Sequence, residues 1–408
     1  MAAPTTSPAH PSGGAGPRPG PAARGWPAVA AVTLGIFAIV TTEILPIGLL
    51  TGIGAGFAVS DGMAGLMMTM PGLLAAISAP LVTVASARVD RRLMLCTFTA
   101  LLAGANFLAA AAPDYWIVLA SRVVVGVVIG GFWSIGASLA ERLVPAPAVG
   151  RARAVIFSAV PLGSVLGVPA GTLLGDLAGW RTAFAALGAL AVGVLVMLLV
   201  FVPPLPPTRT TRLHVLRGML QGVNTRFALV LTVLIVLAHF GAYTYVTPFL
   251  EQVTDAGPRL VTGLLLVYGA AGVAGNFLGG ALVARRPRGT LGLVAAMIAA
   301  ATLLLPVLGR WQFGAAALLV LWGVAYGAVP VSSQTWFAKA SPHAPEAAAV
   351  LFTASFQATI SVGALAGGVA VDQASPSAVM TLGGGTAVLA AVAVWMHRAR
   401  RLTWPDGT

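Results

Sequence analysis

The sequence predicts an all-α membrane protein whose twelve transmembrane helices form two pseudo-symmetric halves of six. Three observations support this fold class. Of the 408 residues, 58% are hydrophobic and 8% are charged, and the mean hydropathy is +0.93, whereas soluble domains carry about 25% charged residues. Apolar runs long enough to cross a bilayer as helices recur between short polar breaks. Motifs of the first half return after an offset of 197 to 202 residues.

The apolar runs are numbered here as spans 1 to 12. Their predicted limits are 26–50, 62–84, 93–112, 116–140, 154–176, 182–202, 227–250, 260–283, 290–308, 313–337, 347–371 and 377–397. Residues 1–25 are rich in Pro, Ala and Gly, and we expect a disordered cytoplasmic segment because they cannot bury enough apolar surface to fold. Span 1 is longer than the apolar core of a signal peptide, so we expect it to be retained.

The longest internal break divides the chain into its halves. Residues 203–226 contain the run Pro203-Pro204-Leu205-Pro206-Pro207 and several arginines, which is typical of a linker. The predicted domains are therefore an N-terminal half, 26–202, and a C-terminal half, 227–398, followed by a short cytoplasmic tail at 399–408.

The basic residues indicate how the chain is oriented. Nineteen of the 23 Lys and Arg residues fall on the side of the membrane that holds both termini. By the positive-inside rule that side is the cytoplasm, which predicts a multi-pass protein of a bacterial plasma membrane. The net charge of +12 then reflects topology and contact with anionic lipid rather than nucleic-acid binding. The single cysteine, Cys96, excludes an intrachain disulfide, and no spacing of ligands predicts a metal site.

The two halves align at four places with nearly one offset. The aligned residues are Thr42, Glu43 and Pro46 with Thr244, Tyr245 and Pro248, Ala87, Arg88 and Arg91 with Ala284, Arg285 and Arg288, Gly126 and Gly130 with Gly323 and Gly327, and Gly163 and Gly167 with Gly363 and Gly367. Glycines spaced by four are common in membrane helices, so the shared order and offset carry the prediction of a parallel internal repeat.

Glu43 is the carboxylate that lies well inside a predicted span. An acid near the bilayer centre costs roughly 2.5–3.5 kcal/mol on insertion scales, so it marks a functional site by default. Pro46 has no N–H, so the Thr42 carbonyl loses its helical partner. Loosened backbone at this depth is tolerated where protein or a wet cavity satisfies it. Span 1 is therefore predicted to line an internal cavity, the alternative being a structural acid paired to a neighbouring helix.

Several motifs resemble those of a known family. The pattern Gly163-x-x-x-Gly167-x-Pro169-x-Gly171-x-x-x-Gly175 resembles the span 5 antiporter motif of the major facilitator superfamily. Further matches are Thr42-Glu43 with Pro46, Arg122-x-x-x-Gly126, Phe132-Trp133-Ser134, Gly179-Trp180-Arg181 and His239-Phe240-Gly241-Ala242-Tyr243-Thr244-Tyr245. Over residues 26–398 the chain is similar to the bacterial twelve-span drug:proton antiporter group, which includes arabinose- and sugar-efflux-like, purine-nucleoside-efflux and chloramphenicol exporters.

The resemblance implies a substrate site between the halves, a span 5 that seals the cavity, and a proton gradient as the energy source without a cofactor. It also implies cytoplasmic gating loops, which here hold Arg88, Arg91, Arg92, Arg285 and Arg288. Ala87 and Ala284 stand where the family has Asp, so a carboxylate-based contact in those loops is not expected.

Three residues are predicted to couple protons: Glu43, Arg122 and His239. Glu43 lies about 10 Å from the outer end of span 1 and Arg122 about 9 Å from that of span 4, at 1.5 Å per residue. We expect both to face one cavity, where they can form an ion pair that opens on protonation. The alternative for Arg122 is a side chain that snorkels to the outer surface. His239 can relay protons or bond a substrate, or it can be a neutral histidine bonded to a neighbouring helix.

The predicted substrate cavity draws on polar and aromatic side chains at this depth. They are Thr42, Trp133, Tyr243, Tyr245, Trp322 and Tyr326. Such side chains suit a mostly apolar small molecule, although plain packing or contact with lipid is the alternative for each.

The sequence therefore predicts a proton-coupled exporter of a small amphipathic molecule such as a drug, a sugar or a nucleoside. One alternative is a proton-independent facilitator or importer of sugars or nucleosides. Another is a non-transporting membrane enzyme or assembly factor. No phosphate-binding loop supports ATP-driven export, and no nucleophile–base set supports an enzyme. The expected partners are the substrate, protons and lipid, and a monomer suffices.

Overall fold

The computed structural model describes residues 21–85, 89–136, 139–206, 222–340 and 345–399. These residues are 90% helical and contain no strand. Twelve of their helices are long and apolar enough to cross a membrane, which confirms the predicted number. The helices of spans 1 to 12 are Pro21–Phe57, Leu66–Ala85, Arg91–Ala110, Tyr115–Gly136, Val149–Leu162 continued by Gly163–Gly167 and Val168–Ala178, Trp180–Phe201, Val223–Tyr243 continued by Val246–Gln252, Pro258–Arg285, Pro287–Leu308, Gln312–Ala340, Pro345–Gln373 and Pro376–Ala399.

Most helix ends lie within a few residues of the predicted limits, and two helices extend into segments that are predicted to lie outside the spans. The first helix begins at Pro21, inside the segment 1–25 that was expected to be disordered. This part of the helix packs at Gly25 against Leu143 and Val144. The helix of span 7 begins at Val223, inside the predicted linker 203–226. Residues 1–20, 207–221 and 400–408 lie outside the described residues.

The packing of the helices repeats between the halves. Span 1 packs on spans 5 and 6, span 2 on span 4, and span 3 on span 6. In the second half, span 7 packs on spans 11 and 12, span 8 on span 10, and span 9 on span 12. The halves meet where span 2 packs on span 11 and span 5 on span 8. The same pairs recur after six spans, as the aligned motifs predicted.

The aligned glycines have the same role in both halves. A Cβ built at Gly126 would clash with Pro71 of span 2, and one built at Gly327 would clash with Gly272 of span 8. Likewise, Gly163 lies against Val40 of span 1. Small residues at these positions let neighbouring helices approach closely.

Span 5 combines this glycine stripe with a local break in the helix. Gly163–Gly167 form one turn of π-helix, after which the α-helix resumes as Val168–Ala178. Pro169 has no N–H for the preceding turn, which accounts for the altered hydrogen bonding. Glycines of the predicted antiporter motif face side chains of span 1: Gly163 on Val40, Gly167 on Thr41, Gly171 on Leu45 and Gly175 on Leu49. These glycines therefore pack span 5 on span 1 within the N-terminal half.

Replacing Gly167 by valine is expected to destabilise this contact. A Cβ at Gly167 would lie 2.6 Å from Thr41 Oγ1 and 3.0 Å from Thr41 Cβ, and overpacking of this kind costs about 1–3 kcal/mol. We expect a lower midpoint of thermal unfolding for the purified protein in detergent. Gly193→Val in span 6 is the matched control, because a Cβ there meets no atom within 4 Å. Equal midpoints for the two variants would contradict the packing argument.

The helix of span 7 is interrupted at Thr244 and Tyr245, which the internal repeat aligns with Thr42 and Glu43 of span 1. The helix of span 7 ends at Tyr243 and resumes at Val246. Pro248 has no N–H for the Thr244 carbonyl, just as Pro46 has none for that of Thr42. Span 1 remains helical through Pro46, whereas span 7 breaks. The freed carbonyl of span 1 is therefore satisfied in another way.

Candidate functional site

Glu43 lies at the contact between the two halves. The residue is 8% exposed, and Gln357 of span 11 donates from Nε2 to Glu43 Oε1 at 2.8 Å. The bond therefore joins the first helix of one half to the fifth helix of the other. Gln357 was missed by the sequence analysis, although a lone amide within an apolar span is a usable signal.

Arg122 supplies the partner that Pro46 removes. The guanidinium Nη1 donates to the Thr42 carbonyl at 3.0 Å, and its carbon lies 5.0 Å from the centre of the Phe184 ring. The Thr42 hydroxyl accepts a bond of 3.1 Å from Asn106 Nδ2. A buried carbonyl without a donor would cost free energy, so these contacts stabilise span 1 where its helical hydrogen bonding is incomplete.

The expected ion pair between Glu43 and Arg122 is not formed. Arg122 bonds the backbone of Thr42, and Glu43 bonds Gln357. Arg122 therefore bonds span 1 within its own half, whereas Glu43 bonds span 11 of the other half. Snorkelling of Arg122 to the outer surface is also wrong, because the residue is 0% exposed.

Around His239 the structure gathers a ring cluster, consisting of His239, Tyr243, Tyr268, Trp322 and Tyr326. His239 is 0% exposed and stacks on Tyr326 with ring centroids 3.4 Å apart. Tyr243 stacks on His239 and on Tyr268, with ring centroids 5.0 Å and 4.5 Å apart. Trp322 stands edge-on to His239 at 5.5 Å. Spans 7, 8 and 10 thus contribute to one buried cluster.

The ring cluster contains four of the predicted residues and one that was missed. His239, Tyr243, Trp322 and Tyr326 were candidates, whereas Tyr268 of span 8 was not. The alternative for His239, a bond to a neighbouring helix, is not formed, since neither ring nitrogen has a partner among the described residues.

Three predicted cavity residues lie elsewhere. Thr42 is fully buried against Asn106. Trp133 stacks on Phe157 with centroids 6.3 Å apart, within the N-terminal half. Tyr245 donates to the Ala364 carbonyl at 2.7 Å and packs with Leu50 and Ala64 across the contact between the halves. The structure does not bring these residues together with the ring cluster.

The halves are joined at the end of the bundle away from the termini, called here the far end. Asp372 accepts bonds from the Ser60 hydroxyl at 2.7 Å and from the Gly62 N–H at 2.9 Å. Further bonds run from Thr51 to Glu251, from Gln252 to Asp61, from Thr247 to the Ile47 carbonyl and from Ser361 to the Thr69 carbonyl. These contacts close the far end in this conformation.

The arginines of the predicted gating loops have varied surroundings. The Arg91 N–H donates to the Leu205 carbonyl at 2.8 Å, and the Arg92 guanidinium donates to the Leu199 carbonyl. These bonds fasten the start of span 3 to the last turn of span 6 and to the residues that follow it. Arg285 is exposed, and Arg288 is half-buried with Nε and Nη2 unpartnered among the described residues. Arg88 lies outside the described residues.

Known proteins share this sequence and architecture. Over 352 residues the chain is 33% identical to the transcription regulatory protein OpdE of Pseudomonas aeruginosa, covering 85% of this chain and 88% of that protein. It is 30% identical over 369 residues to the purine ribonucleoside efflux pump NepI of Salmonella paratyphi A, covering 90% and 93%. In fold it resembles a solved bacterial homologue of the human lysosomal transporter Spinster in an inward-facing, occupied conformation, with a TM-score of 0.73, 16% identity and coverage of 93% and 98%.

The family assignment follows from a match that extends over most of the chain. The family described as Major Facilitator Superfamily matches residues 32–353. Its members are transporters, not enzymes, and the relatives include efflux proteins. The twelve apolar helices and their repeated packing agree with this match. The chain is therefore a multi-pass membrane protein that belongs to the major facilitator superfamily of transporters.

Proposed function

We propose that the protein exports a small amphipathic molecule in exchange for protons. It works by alternating access in a bacterial plasma membrane, with both termini in the cytoplasm and the far end facing outward. The observation that carries this proposal is the buried carboxylate of Glu43, bonded at 2.8 Å to Gln357 across the two halves. No cofactor is required, because the inward proton gradient supplies the energy.

The position of Glu43 suits a proton switch. A buried charge is costly unless it is paired or neutralised, and the hydrogen bond from Gln357 offsets only part of that cost. Gaining or losing a proton therefore changes the free energy of the closed contact between spans 1 and 11. A group that stabilises one of two arrangements shifts their populations. The closed far end defines one of these two arrangements, since its hydrogen bonds must break for the outward-open arrangement to form.

The energetics are adequate for uphill export. One proton that enters with the membrane potential contributes about 2.3 kcal/mol per 100 mV. Deprotonated Glu43 accompanies substrate binding from the cytoplasm, and protonation from outside accompanies release. The function named for the Salmonella relative, purine ribonucleoside efflux, supports export as the direction. Nucleosides, sugars and amphipathic drugs are the candidate substrates, and a monomer holds all the residues of the site.

Proton movement in proteoliposomes tests the proposal. The purified protein is reconstituted with a pH-sensitive dye inside, a pH gradient is imposed, and inosine, arabinose or chloramphenicol is added. We expect one of these compounds to accelerate dissipation of the gradient, with protein-free liposomes as the control. Radiolabelled compound that equilibrates across the membrane without any proton movement would contradict antiport and identify a facilitator.

A further inference from the structure

The ring cluster has the geometry of a stacking site. His239 and Tyr326 are inclined by 6° and Tyr243 and Tyr268 by 25°, while His239 and Tyr243 are inclined by 21°. Four rings are thus close to parallel. Trp322 stands across them, at 76° to His239 and 79° to Tyr268. Aromatic faces arranged in parallel with one perpendicular wall favour a flat ring over a rounded molecule.

The same cluster holds polar atoms that have no partner. Both ring nitrogens of His239, the Tyr268 hydroxyl and Trp322 Nε1 are buried without a hydrogen bond among the described residues. His239 and Trp322 are 0% exposed and Tyr268 is 7% exposed. Buried polar groups nearly always have partners, and leaving them unpaired costs free energy. Four such atoms in one cluster indicate that a bound molecule supplies the partners.

We propose that the ring cluster recognises a planar nitrogen heterocycle, such as a purine base carried by a nucleoside. This inference rests on the proposed export function and names the substrate class for it. The base stacks between the parallel rings, as bases do on aromatic side chains in other sites. Its edge accepts from Trp322 Nε1–H, which stands across the stack, while hydroxyl groups of the attached sugar bond the in-plane nitrogens of His239 and the Tyr268 hydroxyl.

Other candidate substrates fit this chemistry less well. A sugar offers hydroxyl groups but has no aromatic face for the parallel rings. A lipophilic aromatic cation has the face but provides no acceptor for Trp322 Nε1–H. A site with buried polar groups rejects molecules that leave those groups unpaired. Because His239 and Tyr326 touch in this conformation, with centroids 3.4 Å apart, the bound base replaces a ring–ring contact with two base–ring contacts.

Equilibrium binding to the full-length protein tests this inference. Calorimetry in detergent, with no proton gradient, compares inosine, arabinose and tetraphenylphosphonium. We expect saturable binding of inosine and none of arabinose. Trp322→Phe keeps an aromatic ring but removes the N–H, and the lost hydrogen bond is expected to weaken inosine binding about tenfold or more. Tyr268→Phe, which removes only a hydroxyl, is expected to weaken it similarly and guards against a folding defect in the first variant.

Trp336→Phe is the matched control. Trp336 is on the same helix, fully buried with its Nε1 unpartnered among the described residues, and lies about 21 Å along the helix from Trp322 at 1.5 Å per residue. Unchanged inosine binding in this variant supports the inference. Absence of inosine binding, equal loss in both tryptophan variants, or binding of tetraphenylphosphonium that depends on Trp322 in the same way would overturn it. Proton antiport driven by arabinose alone would overturn it while leaving the proposed export function intact.

Discussion

Glu43→Gln is expected to reduce substrate-driven proton movement to the rate of protein-free liposomes. The amide cannot take up a proton in the working range of pH, but it keeps the size of the acid and an oxygen that accepts from Gln357. The hydrogen bond of 2.8 Å that joins spans 1 and 11 is therefore preserved. The measurement is the initial rate of dye response on addition of the substrate identified with the unaltered protein.

Glu141→Gln provides the control for this result. It makes the same chemical change at a surface carboxylate whose side chain is 59% exposed and bonded to Arg153. Exposed ion pairs contribute about 0–1 kcal/mol, so this variant is expected to move protons at the normal rate. Substrate exchange without a gradient should persist in Glu43→Gln, since that exchange needs no proton. Normal proton movement in Glu43→Gln would assign the coupling proton to another group.

Arg122→Met is expected to destabilise the protein by about 1–3 kcal/mol, the cost of leaving a buried acceptor without its partner. The acceptor is the Thr42 carbonyl, which Pro46 deprives of its helical donor. Pro46→Ala restores an N–H to span 1 and should therefore rescue much of the loss. The measurement is the free energy of unfolding in detergent for the unaltered protein, each single variant and the double variant. Comparison of the four values gives the coupling energy between the two sites, expected at about 0.5–3 kcal/mol.

Arg181→Met controls for the loss of a guanidinium. Arg181 also donates to a backbone carbonyl, that of Ala112, at 3.0 Å. Its guanidinium lies over the ring of Phe57 at the end of span 1, about 16 Å along the helix from Pro46 at 1.5 Å per residue. Its effect should add to that of Pro46→Ala without coupling, as expected for independent sites. Strict additivity between Arg122→Met and Pro46→Ala would show that the guanidinium does not replace the helical donor.

The fold was predictable because its signals are local. Hydropathy located each of the twelve helices, since a helix must be apolar over the width of the bilayer whatever it packs against. The aligned motifs predicted the repeated packing because close helix contacts need glycine at particular positions. The predicted span 1 begins after Gly25, whereas the helix includes it, because hydropathy does not register the packing of Gly25 against Leu143.

The site was predictable only in parts. That the Thr42 carbonyl lacks a helical donor follows from Pro46 alone. Counting residues along the spans identifies Arg122 as a candidate donor at similar depth. Which group Arg122 would bond, the acid or the backbone, depends on how spans 1 and 4 are rotated. Spacing by four residues places His239 beside Tyr243 and Trp322 beside Tyr326. That these two pairs meet and that Tyr268 joins them depends on helix packing between distant parts of the chain.

The separate hydrophobic cores of the two halves have an evolutionary consequence. One core is built almost wholly from spans 7 to 12, and others lie within spans 1 to 6. On our proposals, energy conversion resides in the first set of helices and chemical selectivity in the second. Substitutions in spans 7, 8 and 10 can then change the exported compound while span 1 continues to use the gradient. Such a division lets one lineage diversify its cargo while its means of energy conversion stays unchanged.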